Sequence, residues 1–161
     1  MDGVRGVMAS ALIAAALSGC AGSGNEKEQG PPNDCVPPDP PTISYAANIQ
    51  PIYDVSCALA GCHLGGAPTG GLNLATGVSW ENTVDVKSIG RPKLDLVEPG
   101  NPEDSYLVRK IEGGPDIAGQ LMPPGCGAPG TGGTGDNGAI CLSNDDNAAI
   151  RQWISECALD N

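Results

Sequence analysis

One short stretch sets the terms for the whole chain: Cys57-Ala58-Leu59-Ala60-Gly61-Cys62-His63. It carries the only histidine of the 161 residues, directly behind a cysteine that follows another with four residues between them. Two thiols and an imidazole offered from one turn suit the bonding of a bulky group at two points and the ligation of a metal from one face. The chain has room for such a group. It contains two tryptophans, three tyrosines and no phenylalanine. Aromatic side chains dominate core burial, so the interior is thin unless a cofactor fills it and disulfides brace it.

The start of the chain reads as an export signal. Arg5 precedes an apolar, alanine-rich run from Val7 to Ala16 that is too short to span a bilayer. Leu17-Ser18-Gly19-Cys20 follows, small residues ahead of a cysteine in the manner of a bacterial lipobox. The expectation is cleavage after residue 19 and lipidation of Cys20; the alternative is an ordinary signal peptide with Cys20 left as a disulfide partner. Residues 20–42 are glycine- and proline-rich with almost no apolar content, as befits a tether. Export implies a periplasmic or cell-surface location and an oxidising compartment. The formal net charge of −11 argues against nucleic acid or anionic lipid as a partner surface and favours basic partners.

The folded domain is expected over residues 43–158, with 159–161 as a tail. Asn48 is a candidate cap for a first helix that presents Ile49, Ile52 and Tyr53 on one face and runs into Cys57. Leu72 and Leu74 supply a short apolar patch, and Ser79 is a candidate cap for a turn carrying Trp80, Val84 and Val86. Asn101, Pro102, Glu103 and Asp104 match the start signals of a helix with Tyr106, Leu107 and Ile111 as its apolar side, stopped by Gly113-Gly114. Ser143 and Asp146 resemble a capping box for a last helix whose Ile150, Trp153, Ile154 and Cys157 fall at buried-face spacing. No segment reads as a paired strand, so the predicted class is all-α with long loops.

Cys-x-x-Cys-His is the attachment signature of a c-type haem, and here the spacer is two residues longer. Past the leader the chain has one histidine, His63, and one methionine, Met122. An iron with the usual axial pair therefore takes those two. Pro123 and Pro124 stiffen the strap that carries Met122. Zinc fits poorly, because adjacent Cys62 and His63 do not suit one tetrahedral ion and no second close ligand pair exists. A plant-type iron–sulfur site would need a cysteine where Gly65 stands, and a Rieske centre needs two histidines. Asp136, Asn137, Asp145 and Asp146 lack the ordered alternation of a calcium loop. With His63 on iron, no Ser/His/Asp or Cys/His nucleophile arrangement remains.

The chain resembles bacterial monohaem cytochromes c of the small class I kind, closest to the planctomycete-type domains of secreted proteins and lipoproteins. The resemblance is carried by Ile49-Gln50-Pro51-Ile52-Tyr53, Gly71-Leu72-Asn73-Leu74 and Val97-Glu98-Pro99-Gly100-Asn101-Pro102 with Ser105-Tyr106-Leu107. It continues through Met122-Pro123-Pro124 and Ile150-Arg151-Gln152-Trp153-Ile154. It implies a small cytochrome c-like fold around one covalent haem c, thioethers at Cys57 and Cys62, and His63 and Met122 as axial ligands. It also implies a first and a last helix that cross, with Tyr53 and Trp153 near the contact. The chain departs from the family in the longer haem-motif spacer and in a glycine-rich insertion over 126–141.

Counting out Cys20, Cys57 and Cys62 leaves Cys35, Cys126, Cys141 and Cys157, an even number with three connectivities. Cys126 with Cys141 is the first choice because it staples the insertion, and Cys35 with Cys157 then follows; a buried free thiol is the alternative for Cys157. The expected function is a lipid-anchored carrier of single electrons between redox partner proteins, not an enzyme. The alternative is a haem-free, disulfide-stapled surface lipoprotein in which Cys57 and Cys62 pair. A haem sensor or weak peroxidase would require Met122 to leave the iron.

Overall fold

The computed structural model describes residues 34–161. The leader over 1–19, the lipidation candidate Cys20 and the first part of the expected tether lie outside the described residues. Ser44 opens the first helical stretch: its hydroxyl accepts from the Ala47 amide at 3.2 Å, and its own amide donates to Asn48 Oδ1 at 2.9 Å. The stretch begins as a π-turn, Tyr45–Ile49, and continues as α1, Gln50–Ser56. The cap is therefore Ser44, with Asn48 one turn inside reaching back to it. Pro51 sits at the start of α1, directly after the π-turn. Ile49, Ile52 and Tyr53 are buried as a single face, joined by Tyr45.

Between α1 and the next helix the chain runs in turns. Ser79 caps no helix. It is fully buried, accepts from the Tyr45 hydroxyl at 2.6 Å and donates to Gln50 Oε1. A buried hydroxyl needs partners, and these two from the first helical stretch outcompete a capping role. Among the described residues β-pairing is limited to isolated bridges, such as Val84 with Val97 and Lys87 with Asp95.

The second α-helix, α2, spans Tyr106–Glu112 and begins later than the sequence signals suggest. Asn101 closes a separate turn, its Oδ1 accepting from the Asp104 amide at 3.3 Å. Ser105 is then extended, with ψ at 119°. The reason lies outside the helix. The Tyr106 and Leu107 amides donate to the carbonyls of Asp95 and Leu96, both at 2.9 Å, so the first donors of α2 are satisfied by a distant segment. Gly113 ends α2 in the left-handed region, φ 81°, and both it and Gly114 donate to the Arg109 carbonyl.

The last helix, α3, spans Asn144–Ser155 behind a complete capping box of Ser143 and Asp146. Ile150, Trp153 and Ile154 are buried. Cys157 and Ala158 take positive φ values that turn the chain back on α3, and the Ala158 amide donates to the Trp153 carbonyl. The ring of Tyr45 lies 5.1 Å from that of Trp153 and 6.3 Å, edge-on, from that of Tyr53. Tyr45 thus carries the contact between the first helical stretch and α3.

Two disulfides brace this small core: Cys35 with Cys157 and Cys126 with Cys141. The end of the segment expected as tether is fastened down, because Glu156 accepts from the Thr42 and Ile43 amides at 2.8 and 3.1 Å. Among the described residues no helix is long and apolar enough to cross a membrane.

Candidate cofactor site

The loop after α1 holds both remaining cysteines and the histidine. The Cys57 and Ala58 amides still donate to the Tyr53 carbonyl, so Cys57 is anchored to the end of α1. The longer spacer then closes on itself. Gly61 adopts φ 80°, a conformation glycine reaches at no steric cost. The Cys62 amide donates to Leu59 at 2.9 Å and the His63 amide donates to Cys57 at 3.2 Å. The two extra residues are absorbed by this turn, and His63 returns to the side of Cys57. The far edge is held by Thr69, whose amide donates to the Cys62 carbonyl, and by Leu74, whose amide donates to that of His63.

Cys57 and Cys62 are free thiols, both half-buried, while the other four described cysteines are paired. Burial, with Cys62 adding to it, pushes the Cys57 thiol up to about 12, so it is protonated at neutral pH and not a ready thiolate nucleophile. The Cys62 sulfur lies 3.5 Å from Asn137 Nδ2 of the glycine-rich insertion.

His63 places Nδ1 3.2 Å from the Leu72 carbonyl. A carbonyl only accepts, so Nδ1 carries the proton and Nε2 keeps its lone pair. Burial lowers the imidazole pKa, outweighing the Leu72 and Thr69 carbonyls, and the Lys110 charge lowers it further. The ring is neutral at physiological pH, the form that ligates metal.

Met122 reaches the same place from the other side of the sequence. Its amide donates to the Lys110 carbonyl of α2 at 2.8 Å, and its bond to Pro123 is cis. A cavity of about 470 Å³ has Cys57, His63 and Met122 on its wall, with Leu72, Leu74, Leu96 and Ile111 supplying apolar lining. A second cavity of about 220 Å³ shares Cys57, His63 and Met122 and adds Cys62, Asp136 and Asn137. A space of this size and lining suits an apolar cofactor held by few polar groups. Cys57, His63 and Met122 line both cavities and Cys62 lines the smaller one, so two free thiols, a neutral imidazole and a thioether are a donor set that fits a covalently attached haem.

Lys110, the Tyr106 hydroxyl and the Leu72 carbonyl also belong to this site. Nothing in their spacing marks them, since each acts across a long loop. Of the acidic residues near the insertion, Asp146 is committed to the capping box, whereas Asp136 and Asn137 line the smaller cavity. A different acidic group, Asp85, Asp95 and Glu98, converges elsewhere, with Asp95 bound to Lys87 at 2.8 Å. Comparison with family models, curated proteins and solved structures returned no match.

Proposed function

We propose that this chain is an exported monohaem cytochrome c, anchored by lipid at Cys20, that carries single electrons between redox partners. The observation that carries the reading is the meeting of His63 and Met122, distant in sequence, on the wall of one apolar cavity beside Cys57. In this reading the helices and loops form an all-α, cytochrome c-like envelope. A bound haem would supply a one-electron iron couple.

The chain's own residues do the rest. Cys57 and Cys62 would hold a haem by adding their thiols across its vinyl groups, and His63 would offer Nε2 because Leu72 holds its other nitrogen. Met122 offers its sulfur from a strap tied to α2. His63 and Met122 would both be held toward a bound haem, and with two protein ligands supplied such a site would suit a carrier more than an enzyme. The net charge of −11 favours basic redox partners. The haem-free reading expects Cys57 paired with Cys62, and the free state of both thiols favours the cytochrome.

The test is a pyridine haemochrome spectrum on protein co-expressed with a cytochrome c maturation system, after acid–acetone extraction. Haem that stays with the polypeptide and gives a c-type spectrum supports the proposal. Haem that extracts, or never appears, overturns it in favour of a disulfide-stapled structural lipoprotein.

A further inference from the structure

The segment between α2 and Met122 has no helix or strand of its own, and Asp116 and Gly119 both adopt positive φ. Its path is defined by what it is tied to. One residue supplies most of those ties. Lys110 Nζ donates to the carbonyl of Ala118 at 2.9 Å and to that of Gln120, while the Lys110 carbonyl accepts from the Met122 amide at 2.8 Å. One helical turn earlier, the Tyr106 hydroxyl accepts from the Ala118 amide at 2.8 Å.

An ammonium is suited to this work. It has three donors and no acceptor, and its hydrogen bonds to carbonyls are charge-assisted. Lys110 also lies in the last turn of α2, where the helix dipole favours a cation. The side chain lines the larger cavity, and its neighbour Arg109 is turned instead toward Glu103 and Asp104 at the surface. A cation on an apolar wall is costly unless its donors are used, and here they are spent on the strap.

We propose that Lys110 is the positioning residue for Met122, holding the strap so that the thioether faces the cofactor cavity. The inference rests on the cytochrome reading. It adds that presentation of the Met122 thioether to a bound haem would depend on a lysine that is not itself a ligand.

The test uses the holoprotein and compares wild type with Lys110→Ala and Lys110→Gln. The readouts are covalent haem by pyridine haemochrome, the ferric methionine–iron charge-transfer band, and the affinity for added imidazole. Both variants should keep covalent haem, lose intensity in the charge-transfer band and bind imidazole about tenfold more tightly, a change well within what the two charge-assisted hydrogen bonds of Lys110 Nζ can supply. In a Met122→Ala background the same Lys110 changes should have no further effect on imidazole affinity. If Lys110→Ala fails to fold, Lys110→Gln, which keeps most of the stem, carries the same comparison. Unchanged band and affinity overturn the proposal, as does an equal affinity gain in the Met122→Ala background. A wild-type protein without covalent haem overturns the cytochrome reading and this inference together; a c-type wild type with unaltered variants overturns this inference alone.

Discussion

His63 donates from Nδ1 to the carbonyl of Leu72 at 3.2 Å, and this bond decides which nitrogen of the only histidine stays basic. The loop between them, Leu64 to Gly71, has little side-chain bulk, yet it is pinned at Thr69, and just past Leu72 the Leu74 amide donates to the His63 carbonyl. The imidazole is therefore oriented by backbone on both sides of a glycine-rich segment.

Replacing Met122 tests the proposed sixth ligand. Met122→His should keep covalent haem and lower the reduction potential by on the order of 0.1 V, because imidazole favours ferric iron more than a thioether does. Met122→Ala should let the ferrous protein bind carbon monoxide, which the wild type should resist. Redox titration and a carbon monoxide difference spectrum give both answers, and an unchanged potential would remove Met122 from the site.

The two disulfides differ in the length of chain they close. Cys126 and Cys141 are 15 apart and Cys35 and Cys157 are 122 apart. Loop-closure entropy predicts that replacing the shorter pair by serine costs about 3 kcal/mol and the longer pair about 5 kcal/mol. Chemical denaturation of the two double variants should show that order, and the reverse order would contradict it.

Glu156 provides a pH signature. Burial alone would raise its carboxyl, but hydrogen bonds from the Thr42 hydroxyl and amide, from Gln152 and from the Ile43 amide outweigh burial and hold it below its ordinary value. The unfolded chain therefore binds the proton more tightly than the folded one. The contribution is complete above about pH 4.3 and is lost as pH falls through the lower folded value. Glu156→Gln should be less stable than wild type at pH 7 by about 1.5–3 kcal/mol and should show a flatter decline between pH 5 and pH 3. Parallel urea-denaturation curves across that range would refute the assignment.

Trp153 and Tyr45 test how far a thin aromatic core depends on each ring. Trp153 is fully buried against Tyr45 and its indole donates to the Leu159 carbonyl at 2.9 Å. Trp153→Ala should cost about 3–5 kcal/mol. Tyr45→Phe keeps the ring and loses only the bond to Ser79, so about 1 kcal/mol is expected. Thermal or denaturant melts of the two variants should separate by that margin; equal losses would mean that the hydroxyl network, not ring packing, dominates.

Features closed within a few residues were legible. The Ser143–Asp146 box and the Gly113 stop involve partners one turn apart, and both appear where the spacing puts them. The start of α2 was not legible from its own signals, because its first amides are satisfied by Asp95 and Leu96 across a turn-rich segment. Ser79 looked like a cap and is instead a buried link between Tyr45 and Gln50. Tyr45, the ring that joins the first helical stretch to Trp153, keeps the helical period with Ile49, Ile52 and Tyr53 but lies ahead of the helix start that Asn48 suggested as a cap.

By itself the sequence determined the inventory: one histidine, one methionine beyond residue 19, two thiols near that histidine and five more cysteines. It also determined the local stops and caps, since those depend on φ preferences and on donors within one turn. Tertiary structure alone decided that His63 and Met122 share a cavity wall, that Leu72 selects the imidazole tautomer and that Lys110 ties the Met122 strap to α2. These relations join segments separated by long, low-bulk loops. Such loops carry no periodicity, so their course follows from which buried donors and acceptors must find partners once the core has closed.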